Sequence, residues 1–302
     1  MDARAWDAVS SALVETRANR GDTMSDPETY EVYAIQYCHR SNRSKGETFL
    51  SPVLSADFHD VAQDITYYVW LITNENRTVL VDTGFGRDEL ARRQEILGPG
   101  WQPDYARTPA EGVAMLGFDP KAIGDVIVTH LHYDHAGTTQ DFPNATFHLQ
   151  ELEMSYATGA QMCHEALRFP YTVDFVVEMV RHLFHGRIAF AAGDKEFAPG
   201  ITLHLTAGHT MGMQSVRVLT ERGWVVLASD ASHFYDNHEG LAPFPIVYNV
   251  GDMLDSHRKL RRLAESPQHI IPGHDPLVLE RYPAPSVALQ GAVVRLDVAP
   301  KA

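Results

Sequence analysis

Cysteine is nearly absent: Cys38 and Cys163 are the only two in 302 residues, too few for the disulfide framework that small secreted folds depend on. Reduced thiols in a cytoplasm fit this usage better than an oxidising compartment. No run approaches the ~18 consecutive apolar residues of a membrane span. The start, MDARAWDAVSSALVETRANRGD, has neither the basic opening nor the unbroken apolar stretch of a signal peptide. A soluble, cytoplasmic protein without membrane contact is the expectation. Positive charge is scarce too: 25 Lys and Arg face 39 Asp and Glu, a formal net charge of -14. Such a surface is poorly suited to displacing counterions from a phosphate backbone, which argues against a general nucleic-acid binder. Short repeats, low-complexity tracts and an obvious interdomain linker are also missing. The expected organisation is an N-terminal extension over 1–25 and one domain over 26–302, with which a homodimer is compatible.

What is present begins with short extended runs. YEVYAIQY, ITYYVWLIT and RTVLVDTGFG, separated by polar or Gly-rich breaks, read as strands. PAEGVAMLGF reads as a helix, and the apolar strand DVIVT after it runs directly into a histidine cluster. The second half repeats the scheme, with strands in ITLHLTAGHT, QSVRVLT and GWVVLASD, a helix over 252–264 and a short strand in HIIPGHD. Strand groups followed by helices, occurring twice, predict two mixed sheets packed together with helices outside, an α/β (α+β) fold. Residues 150–187 interrupt the scheme with a mostly helical pattern and scattered aromatics, including Phe169, Tyr171, Phe175 and Phe184. That insert reads either as a lid or as a plain packed helical pair.

The cluster is His130-Leu131-His132-Tyr133-Asp134-His135. In an extended segment side chains alternate, so His130, His132 and Asp134 can share one side while a turn at Asp134-His135 aims His135 elsewhere. One short loop can thus serve two metal ions. Gly137, just beyond, has no side chain and allows close backbone packing beneath the site. A lone histidine is more often a surface or core residue than a ligand. Three histidines and an aspartate within six residues reverse that reading, because packing gives no reason to gather titratable groups.

HLHYDH resembles the HxHxDH motif of the metallo-β-lactamase superfamily, and later residues follow the family order: His209 in TAGHT, Asp230 in LASDAS and His274 in IPGHD. The resemblance spans roughly 30–285 and implies a four-layer αββα sandwich. It implies that His130, His132 and His209 hold one metal, that Asp134, His135 and His274 hold a second, and that Asp230 bridges them. Asp82 of VDTG reads as an acceptor for a ligand imidazole N–H, or as a simple turn residue before Gly. Imidazole and carboxylate without thiolate suit two Zn²⁺ first, and accommodate iron, manganese or cobalt. The implied chemistry is hydrolysis by a metal-bridging hydroxide.

Absences separate the branches of that superfamily. There is no Cys at Asp230, as zinc β-lactamases of the cysteine-ligand type have, and no Glu at His132, as the di-iron branch has. No RNA-binding extension is evident. A thioesterase of the glyoxalase II kind shares all seven ligands, but its basic cluster is not evident, since Arg258, Lys259, Arg261 and Arg262 lie on a helical stretch. VLASDASHFYDN and the segment from PFPIVYNVGDM to IIPGHDP are similar to the lactonase branch, which includes N-acyl-homoserine lactonases and 4-pyridoxolactonase. The resemblance therefore implies a lactone-opening enzyme with a small-molecule lactone as its partner. A glyoxalase II-like thioesterase and a non-catalytic metal-binding module are the alternatives.

In many acyl-homoserine lactonases a Tyr lies three residues after the bridging Asp and assists at the substrate carbonyl. This chain has His233 there, with Tyr235 and His238 nearby. An imidazole can also donate to an oxyanion, so His233 or Tyr235 is expected at the carbonyl and Asp134 at the leaving ring oxygen. His233 could equally just pack the loop. Ser229 and Ser232 belong to no GxSxG turn, which leaves a covalent route little support. Tyr67, Tyr68, Trp70 and Phe85 are candidates for a pocket wall or for core, and His59-Asp60 for an approach to the metals or an ordinary turn.

Overall fold

A computed structural model describes residues 27–50 and 61–301. The expected extension over 1–25 and the His59-Asp60 pair lie outside the described residues. Strands β1 (Glu31–Arg40), β2 (Ile65–Thr73), β3 (Thr78–Val81), β4 (Asp104–Tyr105), β5 (Asp125–Ile127), β6 (Thr146–Gln150), β7 (Ile188–Ala191) and β13 (Val293–Arg295) form one sheet. Its order is β13-β1-β2-β3-β5-β6-β7, with β4 beside β1. A second sheet has the order β12-β11-β10-β9-β8, from β8 (Lys195–Ala198), β9 (Ile201–Leu205), β10 (Gln214–Thr220), β11 (Gly223–Ser229) and β12 (Ile270–Pro272). Both sheets are mixed: β3, β5, β6 and β7 run parallel, as do β11 and β12, while the other pairs are antiparallel.

Strand β2 shows why four layers form. All nine of its residues are buried, so both faces of the strand are covered. The alternation of side chains divides them: Tyr67, Val69 and Leu71 join Val113, Met154, Val176 and Met179 of the helices on one side. Tyr68, Trp70 and Ile72 join Leu203, Val216, Val218 and Leu227 of the second sheet on the other. A third cluster, Val226, Ala228 and Ile270 with Leu260, glues the far face of that sheet to the helix Val250–Leu263. The order is helix, sheet, sheet, helix, and each fully buried Leu, Val or Phe contributes about 1.5–3 kcal/mol.

The helices begin where local chemistry says they should. Thr108 accepts from the Glu111 N–H, the Glu111 side chain returns to the Thr108 N–H, and Pro109 opens the helix Pro109–Met115. Asn249 caps the helix Val250–Leu263 by accepting from Gly251 and Asp252. The 150–187 segment leaves the end of β6, forms the helices Glu151–Ala157, Glu165–Arg168 and Val173–Phe184, and returns as β7. No described helix is long and apolar enough to cross a membrane. What positions chemistry is the shared rim: β3, β5, β11 and β12 each run out at their C-terminal ends into Asp82, His130, Asp230 and His274.

Candidate metal centre

The loop after β5 is pinned from below before it presents any ligand. The Gly137 N–H donates to Gly84 O at 2.6 Å, the Thr83 N–H to His135 O at 2.7 Å, and the Tyr37 hydroxyl to Asp134 O at 2.8 Å. A Cβ on Gly137 would lie 2.7 Å from that Gly84 oxygen, so the close approach requires glycine. Gly208, immediately before His209, has φ +133°, and a Cβ there would meet the Met253 backbone at 2.3 Å. Asp82 (φ 64°) and Ser229 (φ 46°) are non-glycine residues in the left-handed region. Both sit at strand ends against the cluster, where local packing and hydrogen bonds hold an otherwise sparse conformation.

Seven side chains from these loops converge and all are buried. His130, His132 and His209 bring ligand atoms within 4.8 Å of one another, and so do Asp134, His135 and His274. Asp230 lies between the two groups: its Oδ2 is 3.3 Å from His209 Nε2 and 3.9 Å from His130 Nε2, and its Oδ1 is 3.3 Å from His135 Nε2 and 3.0 Å from His274 Nε2.

The outer nitrogens decide which way the lone pairs face. His209 Nδ1 donates to Ile246 O at 2.8 Å and His274 Nδ1 to Thr66 O at 2.9 Å, carbonyls that can only accept. His135 Nδ1 donates to Asp82 Oδ2 at 2.8 Å. The Thr129 hydroxyl donates to that same oxygen at 2.8 Å and is therefore free to accept from His130 Nδ1 at 3.1 Å. In these four rings Nδ1 is engaged, which leaves Nε2 facing the cluster. Burial first, then the neighbouring imidazoles, push His130 and His132 well below the ordinary histidine pKa and keep them neutral.

This arrangement fits cations. His130 Nε2 and His209 Nε2 face each other at 3.2 Å, a pairing that two neutral acceptors do not make without a positive centre between them. His135 Nε2 and Asp230 Oδ1 are buried without a hydrogen-bond partner, and such orphaned groups are costly unless something completes them. Burial works against charge on His135, but Asp230, Asp134 and Asp82 outweigh it and hold its pKa well above the ordinary value: three carboxylates draw positive charge to this spot, which a proton or a metal ion can supply. Nitrogen and carboxylate donors without sulfur form the set that zinc and related divalent ions take.

The residues expected at the substrate carbonyl part company. His233 stands in the cluster, stacked on Phe244 with ring centroids 3.6 Å apart, and its Nε2 donates to Asp230 Oδ2 at 2.8 Å. Burial pushes its pKa down to about 3 against the pull of Asp230, so it is a neutral ring whose proton is committed to that carboxylate. Tyr235 corrects the expectation. The helix Tyr235–Gly240 turns its ring into the inter-sheet core beside Tyr282, under the Arg281 guanidinium at 3.8 Å, and away from the pocket. His238 is likewise buried, bonded through Nδ1 to Ser232 Oγ at 2.9 Å.

Sequence reasoning missed Glu153. Its buried carboxylate accepts from the Leu131 N–H at 3.0 Å and Tyr171 O–H at 2.9 Å on one oxygen, and from Thr210 O–H at 2.5 Å and Gly212 N–H at 3.2 Å on the other. Burial lifts its pKa, against those four hydrogen bonds. Tyr171 in turn sets its ring edge against His132, centroids 4.6 Å apart. The one signal in the sequence was a cluster of polar and aromatic residues in an otherwise amphipathic helical stretch.

Above the cluster opens a cavity of about 550 Å³. His132, Asp134, His209, Asp230, His233 and His274 contribute to its floor, and Tyr67, Tyr133, Trp101, Phe169 and Ile246 to its walls. Tyr67 packs edge-on to His274 at 5.2 Å, whereas Tyr68 and Trp70 belong to the inter-sheet core and Phe85 to the helix-side core.

Residues 64–274 match the model of the metallo-β-lactamase superfamily, and the chain belongs to that family. Within it, the chain is 28% identical over 222 residues to the N-acyl homoserine lactonase AiiA of Bacillus thuringiensis subsp. kurstaki, covering 70% of this chain and 82% of that one. Its fold is similar to a solved N-acyl homoserine lactone hydrolase with N-hexanoyl-L-homoserine bound at the catalytic metal centre, at a TM-score of 0.65 and 23% identity over 85% of this chain and 96% of that one. It is also similar to AidC, a dizinc quorum-quenching lactonase, at a TM-score of 0.61 and 18% identity over 83% and 90% of the two chains.

Proposed function

We propose that this chain is a dinuclear metal-dependent lactonase that opens a cyclic ester to its hydroxy acid. The observation that carries this reading is the convergence of seven buried ligand groups, five of which line the floor of a cavity. The resemblance to lactonases named above selects the ester. His130, His132 and His209 would hold one ion, Asp134, His135 and His274 the other, and Asp230 both, with two zinc ions the pair this donor set suits best. When bound, such ions supply a nucleophile from water at neutral pH and polarise a carbonyl.

The chain's own groups do the rest. Asp230 accepts from His233 Nε2 at 2.8 Å, which restrains the carboxylate between the two groups. Tyr67 is fully buried beside Tyr133; burial, with Asp134 and Cys38 next, raises its pKa far above neutrality. It therefore stays protonated and can donate to an oxygen of the substrate. Asp134 lines the cavity 3.6 Å from both His135 and His274 and is the carboxyl group placed to return a proton to the departing ring oxygen. The oxygen of water ends on the acyl carbon and its protons on the products, with no serine or cysteine nucleophile required.

Chelator-treated protein is expected to lose ring opening of N-hexanoyl-homoserine lactone and of an aromatic lactone, and to regain it with zinc. S-lactoylglutathione should be a poor substrate. Turnover that survives chelation, or metal-replete protein that opens no lactone, overturns the reading; thioester cleavage without lactone opening favours a glyoxalase II-like thioesterase. Tyr67→Phe is expected to lower kcat by about 10- to 100-fold, somewhat below the loss of a full oxyanion donor, with KM changing less. Wild-type kcat in steady-state assays would reduce Tyr67 to a wall residue.

A further inference from the structure

Three arginines line the cavity over the histidine cluster, and they differ in one respect. Arg93 is fully used: its guanidinium donates to Glu89 Oε1 at 2.7 Å, to Phe169 O, Tyr171 O and Thr172 Oγ1, and lies 4.0 Å over the Tyr133 ring. Arg40 and Arg43 are not. Among the described residues Arg40 makes no side-chain hydrogen bond, Arg43 makes one weak one to Glu47 O at 3.4 Å, and the Nε of each is buried without a partner. The nearby acidic groups are committed elsewhere. Glu47 Oε2 accepts from the Ser44 N–H at 2.9 Å as a helix cap, and Asp134 and Asp230 belong to the histidine cluster. Two like charges thus share one cavity wall without a carboxylate partner among the described residues.

We propose that the lactone taken by this site carries a carboxylate, which Arg40 and Arg43 grip while the ester lies over the histidine cluster. This rests on the lactonase reading above and names its substrate class. A half-buried guanidinium whose Nε is shut away without a partner is costly beside an apolar chain and favourable beside an oxyanion it can fork onto. Burial also pulls the Arg43 pKa below its ordinary value, with Arg40 adding to the effect, and a bound anion would relieve both. Ile65, Trp101 and Ile246 provide apolar wall for the body of the molecule. A neutral N-acyl homoserine lactone would fill that wall but offer the two guanidinium groups only an amide carbonyl, with no charge to answer theirs.

The test compares 5-oxotetrahydrofuran-3-carboxylate with its neutral carboxamide, and a phthalide carboxylate with its carboxamide, on the zinc-loaded full chain. Wild type is expected to favour the carboxylate by about 30-fold or more in kcat/KM, the scale of a charge-assisted pair. In Arg40→Ala/Arg43→Ala that ratio should fall to about threefold or less. A wild-type ratio near one, or a high ratio that survives the double substitution because the metals hold the carboxylate, overturns the proposal. Binding keeps the two readings apart. Tetrahydrofuran-3-carboxylate and its carboxamide have no ester to open, and calorimetry should give the same arginine-dependent preference. Preference without turnover of any lactone would sink the lactonase reading alone; turnover without preference would sink the arginine reading alone. Arg43→Lys, which keeps the charge but not the fork, should retain part of the ratio, and provides a folded check should the double variant misfold.

Discussion

Asp230→Asn is expected to lower lactone turnover by about 10³-fold or more, equivalent to about 4 kcal/mol in the barrier, and to leave fewer than two ions bound per chain. Asp230 is the carboxylate that reaches both ligand groups, with contacts of 3.0–3.3 Å to His135, His209 and His274. Burial alone would raise its pKa, but His274, His135 and His233 hold it well below the ordinary carboxylate range, so it is ionised. Asparagine keeps the shape, removes the charge and turns one oxygen into an N–H donor aimed at inward lone pairs. The change therefore weakens both ions at once, which losing Asp134 or His132 would not do. Metal content after dialysis, measured beside kcat, checks it. Two ions retained with turnover within tenfold of wild type would show that Asp230 is not the shared ligand.

Much of the fold was legible because the sequence repeats one physical pattern. The nine apolar or Thr residues of β2 could only be a strand covered on both faces, and two covered faces require the sandwich. What could not be read was which face each aromatic takes relative to the site. Tyr67 and Tyr68 are neighbours of equal character, and only the pairing of β2 with β1 and β3 puts Tyr67 in the cavity and Tyr68 against Asp275 O. The short strands β6, β7, β8 and β13 also escaped, since three to five residues of mixed polarity carry no period.

The residues proposed to hold metal were legible for the opposite reason, local concentration. Six residues carry four ligand groups, and no packing motive explains them. His209, Asp230 and His274 became readable through their order and their places just past apolar strands. Tyr235 shows the limit of that logic. It is five residues from Asp230, but the chain turns into a short helix and the Asp275 carboxylate takes the Tyr235 N–H at 3.0 Å, which directs the ring to the opposite side of the loop. Arg40 and Arg43 were illegible too. Nothing at the end of a strand marks an arginine as facing a cavity formed by residues tens to hundreds of positions away.

Glu153→Ala is expected to destabilise the metal-free protein by about 2–4 kcal/mol, since it leaves buried donors without an acceptor while relieving the cost of burying the carboxylate. Glu153 was invisible because its partners lie 18 to 59 positions away, on three different loops. Two of them are backbone N–H groups that no hydroxyl rotation can rescue, and each left unpaired in the interior costs about 1–3 kcal/mol. The effect is not only on stability. Leu131 lies between His130 and His132, Tyr171 presses its ring on His132, and Thr210 follows His209. One carboxylate thus sets the spacing of the three histidines assigned to one ion. Losing it should weaken that ion by about 10- to 100-fold, as loss of an orienting partner does elsewhere, while the ion held by Asp134, His135 and His274 is less affected. Glu153→Gln keeps the volume but has a single acceptor oxygen for two N–H groups on opposite sides, so it should fall between alanine and wild type. Denaturant unfolding of the chelated proteins reads the first effect, and stepwise zinc titration the second. A stability change below about 0.5 kcal/mol, the level of an ordinary surface substitution, would mean that the loops hold their positions without Glu153.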